Sequence, residues 1–73
     1  MKTGIQVQFG AALRKARKKS GLTQEALAEK ADLHPTYISD VERGERNISL
    51  ENIVALANAL GVKTHELFRL TSL

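Results

Sequence analysis

The chain reads as an all-α protein, a compact orthogonal bundle of five short helices, and three observations point there. Apolar residues recur at spacings of three and four along most of its 73 residues, without the strict two-residue alternation of a strand. Helix-opening residues (Thr23, His34 with Pro35, Ser49, Thr64) stand ahead of the periodic runs, and Gly21, Gly44 and Gly61 stand behind them. The intervals between runs are only a few residues, so neighbouring helices must pack on one another.

Each element follows from its own residues. Ile5 to Ser20 places Ile5, Phe9, Ala12, Leu13 and Ala16 on one stripe, an amphipathic first helix closed by a left-handed Gly21. Its first turn has no evident start, so residues 1–8 form an N-terminal segment that can begin the helix, and 9–73 form the domain proper. Thr23 caps a second helix from Gln24 to Lys30 or Ala31, in which Leu27, Ala28 and Ala31 face inward and are small enough for close approach. Pro35 suits the first position of a third helix after His34, since its missing N–H would have no partner there. That helix keeps Ile38 and Val41 for the core, turns Thr36, Tyr37, Ser39, Asp40 and Arg43 outward, and ends at Gly44. Asn47 to Ser49 reads as a loop, with Ser49 capping a fourth helix whose stripe is Ile53, Leu56, Ala57 and Leu60. Thr64 starts a short fifth helix through Leu67, Phe68 and Leu70.

Composition narrows the function. The chain is one domain near the lower size at which a core holds a fold unaided, and without cysteine it has neither disulfide nor thiolate metal site. There is no apolar run of about 20 residues and no charged start followed by an apolar stretch and a cleavage site. It therefore reads as soluble, unexported and cytoplasmic, with no membrane partner. Net charge is +3, unevenly spread: residues 1–20 hold Lys2, Arg14, Lys15, Arg17, Lys18 and Lys19 and no acid, whereas residues 21–73 hold 5 basic and 8 acidic side chains. A basic helix end suits a polyanion, and the same Lys15, Lys18 and Lys19 also complement the helix dipole.

Residues 9–68 resemble the Cro/CI-type helix-turn-helix domain, the XRE family, in Leu13-x-x-x-Arg17, Gly21-Leu22-Thr23-Gln24, Leu27-Ala28, Ile38-Ser39, Val41-Glu42-Arg43-Gly44 and Leu56-Ala57-x-Ala59-Leu60-Gly61-Val62. The pieces are individually weak; their order and spacing are specific. Thr36-Tyr37-Ile38-Ser39, Glu42-Arg43-Gly44 and Arg46-Asn47-Ile48-Ser49 further resemble the small controller proteins of restriction-modification systems, which are homodimeric transcription regulators.

The resemblance implies a phage-repressor-like domain that binds double-stranded DNA and regulates transcription, as activator or repressor. It places Gln24 at the start of the second helix, beside a phosphate; a solvated helix-start residue is the plain alternative. It pairs Arg17 with Glu42 as an internal salt bridge. It puts Thr36, Ser39 and Asp40 at base edges, with Asp40 able to accept from cytosine N4 or to pair with Arg43 instead. Pro35 departs from the long basic or polar reader that related controllers carry there, which moves reading toward Thr36, Ser39, Arg43 and Arg46. Tyr37 is expected to send its hydroxyl to a phosphate rather than pack in the core. His34 is expected as helix cap or phosphate neighbour, and Arg46 and Asn47 on the sugar-phosphate strand.

Several classes fall away or stay open. The chain lacks a Gly-rich phosphate loop, a cysteine nucleophile and a metal-ligand set, so no catalytic residue, cofactor or metal is expected. Val62, Leu67, Phe68, Leu70 and Leu73 together exceed what one small core readily buries; Leu67 is needed at home, which leaves Phe68, Leu70 and Val62 as candidates for a two-fold interface. RNA polymerase is a further partner such a regulator admits. An antitoxin or adaptor that uses the fold for protein recognition is the rival reading, because fold does not fix function.

Overall fold

Five helices occupy the computed structural model, which describes residues 2–73: α1 Gly4–Lys19, α2 Gln24–Ala31, α3 Pro35–Glu42, α4 Leu50–Leu60 and α5 Thr64–Arg69. The start of α1 is set by a reciprocal cap. Thr3 Oγ1 accepts from the Gln6 N–H at 3.1 Å while Gln6 Oε1 accepts from the Thr3 N–H at 2.9 Å. The helix thus begins before the stripe does, and residues 4–8 belong to it. Ile5, expected on the buried stripe, is 62% exposed. Ile5 lies at a shallow cavity of about 210 Å³ that it lines with Phe9, Ile48, Ile53 and Phe68.

Thr23, His34 and Ser49 cap α2, α3 and α4 with side-chain acceptors, and Gly21, Gly44 and Gly61 adopt the left-handed conformation at helix ends. Asp32 also lies there, at φ 58°, ψ 46°, closing α2 so that only three residues separate it from α3. Asp tolerates this region better than most residues because its short side chain bonds locally.

Phe9, Leu13, Leu27, Ile38, Val41, Leu56 and Leu67 form the centre of the core, with Ala12, Ala28 and Ala57 where helices come close. α3 packs on both α1 and α2, α4 on α2, and α5 on α1 and α4. The α1–α3 contact is backbone to backbone. A Cβ at Gly10 would fall 2.3 Å from the Val41 carbonyl oxygen and 2.8 Å from that of Glu42. One face of α3 is thereby pressed into the protein and its other face is left outside.

Candidate nucleic-acid interface

The position of α3 is secured by ion pairing at its inner end. Arg17, on α1, donates from Nε to Glu42 Oε2 at 2.7 Å, from Nη2 to Glu42 Oε1 at 3.0 Å, and from Nη1 to the Leu22 carbonyl at 2.9 Å. Both side chains are almost wholly buried. The hydrogen bond to Glu42 raises the Arg17 pKa above its ordinary value, against the desolvation that lowers it. Gln24 adds a third donor to Glu42, from Nε2 to Oε1 at 3.0 Å. Glu42 has acceptor capacity left after Arg17 is bound and lies within reach of the first turn of α2, so it takes one Gln24 amide proton; this bond does not exclude the phosphate contact expected of Gln24.

The outer side of α3 opens with His34, whose Nδ1 accepts from the Thr36 N–H at 3.1 Å. Thr36 is exposed and Ser39 and Asp40 are half-buried. Tyr37, expected to face outward, is half-buried with its ring against the core cluster. Its hydroxyl oxygen accepts from Asn52 Nδ2 of α4 at 3.1 Å, and the Arg46 guanidinium sits 5.0 Å from the ring centroid. Burial against the core cluster removes apolar ring area from water while the hydroxyl keeps a polar partner on α4, and the guanidinium over the ring is drawn to its π face. Tyr37 thus positions Arg46, and its hydroxyl keeps its own proton to donate.

Arg43, Arg46 and Asn47 are exposed. Arg43 Nη1 donates to Ser39 Oγ and Nη2 to Asp40 Oδ1, while Arg46 Nε lies 3.5 Å from Asp40 Oδ2. Thr36, Ser39, Asp40, Arg43 and Arg46 therefore share one side of the molecule, joined through Tyr37 to α4. Asn52, Glu45 and Gly10 take part in this arrangement and carried no signal in the sequence: Asn52 is one of several polar residues on α4, Glu45 is a loop acid, and Gly10 lies mid-helix.

The candidate interface residues of the C-terminal segment do not converge on one spot. Phe68 packs on Phe9 with ring centroids 5.5 Å apart and lines the cavity beside Ile5, Ile48 and Ile53. Val62 and Leu70 line a second shallow cavity of about 260 Å³ with Lys15, Lys19 and Arg69. Leu50 at 74%, Val54 at 41% and Leu70 at 43% are the exposed apolar residues of α4 and its successor segment before Leu73. Among the described residues no group of His, Asp and Glu side chains could hold a metal, and no helix is long and apolar enough to cross a membrane.

A short helix, a three-residue connection and a second helix with a polar outer side define the DNA-reading class of all-α domains. The helix-turn-helix family model matches residues 13–67. The control protein C.BamHI of Bacillus amyloliquefaciens is 47% identical over 74 residues, spanning 100% of this chain and 91% of that protein. C.MunI, a control protein of a Mycoplasma species, is 45% identical over 65 residues, 88% of each. The crystal structure of the restriction-modification controller protein C.AhdI from Aeromonas hydrophila superposes with a TM-score of 0.88 at 47% identity, over 90% of this chain and 100% of that one. The chain belongs to the helix-turn-helix family, in its Cro/CI-type form, a family of non-enzymatic DNA-binding transcription regulators.

Proposed function

We propose that this regulator acts as a homodimer on an inverted-repeat operator, in the cytoplasm, in the manner of a restriction-modification controller. The observation that carries the reading is the outer side of α3, where Thr36, Ser39 and Arg43 lie on one helix face beside Arg46, opposite a buried face held by Gly10 and Arg17. An α3 so mounted fits a major groove with its first residues at base edges. Thr36 supplies a methyl for thymine and a hydroxyl of either polarity, and Arg43 the fork that suits guanine. Arg46 and the exposed Asn47 supply phosphate contacts. The full-length similarity to C.BamHI and C.AhdI supports the controller role. Contact with RNA polymerase would follow from that role when the operator lies beside a promoter.

Selection from random duplexes followed by binding titration at several salt concentrations tests this. Thr36→Ala is expected to relax preference at one base position by about 1–3 kcal/mol, whereas Arg46→Ala weakens all sequences alike and lowers the salt slope by about one. A chain that selects no sequence and whose duplex binding ignores salt would be a protein-recognition module such as an antitoxin or adaptor.

A further inference from the structure

The recognition side carries two carboxylates for which phosphate binding has no use. Asp40 holds Arg43 Nη2 on one oxygen and Arg46 Nε on the other. Glu45 Oε1 lies 3.4 Å from Arg43 Nε and 3.3 Å from Nη2, and its other oxygen lies 3.9 Å from Lys2 Nζ. Arg43 Nη1, the edge no carboxylate holds, is on Ser39 Oγ. Both edges of the Arg43 fork and the Ser39 hydroxyl are thus engaged with one another before any DNA arrives. The arginine side chains remain about half exposed, and that of Asp40 only 20% exposed, so the arginines can swing outward while Asp40 stays on the helix.

We propose that Asp40 is a specificity-determining residue that discriminates against DNA lacking an exocyclic amino group at the base it faces. The proposal rests on the outer side of α3 being the DNA interface. For Arg43 and Arg46 to take a phosphate or a guanine they must leave Asp40, whose carboxylate is then stranded in a groove bordered by phosphates. A carboxylate only accepts, and the donors that base pairs offer in the major groove are cytosine N4 and adenine N6. On an operator that presents one of these to Asp40, the lost arginine is replaced. On other DNA the stranded charge stays unsatisfied and repels the strand, so phosphate-driven binding is suppressed there. A carboxylate that merely oriented Arg43 for reading would leave the far edge of the fork pointing outward, and here that edge lies on Ser39.

Asp40→Ala removes the acceptor without adding a new reader. It is compared with Glu29→Ala, an equal charge change on the exposed side of α2, after melting curves establish that both variants fold. Asp40→Ala is expected to bind a non-operator duplex about fivefold more tightly, to change affinity for the selected operator by less than about twofold, and to lose cytosine or adenine preference at one position by about tenfold. Adding Arg43→Ala should shrink the non-operator gain. The assignment is overturned if Asp40→Ala shifts both duplexes by the same factor as Glu29→Ala, or weakens both with an unaltered base profile. A separate result, Arg43→Ala and Arg46→Ala each leaving both duplex affinities unchanged, would show that the DNA-facing side itself is misplaced, and would remove the assignment with it.

Discussion

Arg17 and Glu42 show how a charged pair earns a place inside a domain of this size. Burying either ion alone costs several kcal/mol, and their mutual attraction offsets this only when further hydrogen bonds satisfy both. Here the guanidinium has the Leu22 carbonyl as a third acceptor, and the carboxylate has Gln24 as a further donor. Removal of the cation leaves Glu42 with one amide donor in a buried position. Arg17→Ala is therefore expected to destabilise the fold by about 3–5 kcal/mol, a melting temperature lower by more than about 10 °C. DNA affinity falls only as far as the folded fraction does. A variant that melts like the parent and still loses DNA would make Arg17 a direct ligand.

At the scale of the element, the crossing of α1 over the end of α3 is set by the absence of a side chain. Gly10→Ala improves helix propensity by about 1 kcal/mol, yet its Cβ would enter the space of two backbone carbonyls that cannot move without shifting α3. A net loss of about 2 kcal/mol is expected, with weaker DNA binding because α3 is displaced. Gly4→Ala in the same helix meets nothing within 4 Å and serves as its control, at unchanged or slightly higher melting temperature. Helix ends were legible from residue type because caps act locally: Thr23, His34, Ser49 and the three left-handed glycines each do their work within a few residues. The Thr3 cap escaped because the apolar stripe suggested a later start. What was not legible depends on separation in sequence. Nothing local in Gly10 announces the Val41 carbonyl, nothing in Tyr37 announces Asn52, and nothing in Gln24 announces Glu42. The polar outer face of α3 and the pairing of Asp40 with Arg43, three residues on, could be read from the sequence, but the approach of Arg46 to the same carboxylate could not, since it depends on how the loop after Gly44 folds back.

For the whole molecule, the unresolved balance is between apolar surface and size. A body of 26 × 23 × 21 Å offers little interior: Ile5 is left exposed at the cavity that Ile53 and Phe68 line, and Leu50 and Val54 are left exposed on α4. On α4, Leu50, Ile53 and Val54 fall within about a third of the helix circumference by the geometry of 100° per residue, so they present one continuous patch. The Val62 and Leu70 cavity, by contrast, is bordered by Lys15, Lys19 and Arg69 against the one acid Glu66, so an isologous contact there would gather more cations than carboxylates. The two-fold interface is therefore expected on the α4 side, with Phe68 at its edge, rather than through Val62 and Leu70. Leu50→Glu tests this without endangering the monomer, since the site is 74% exposed and an acid in the first turn of α4 suits the helix dipole. Sedimentation equilibrium at micromolar protein should then give a monomer, and operator affinity should fall while half-site binding persists. Leu70→Glu should remain dimeric. The opposite pattern would place the interface on α5, and a parent chain that is itself monomeric and binds a single half-site would dispose of the dimer. With the α4 patch as the two-fold contact, the two α3 helices would be spaced about 34 Å apart to enter successive major grooves, which ties the apolar surface of one face to the inverted repeat read by the other.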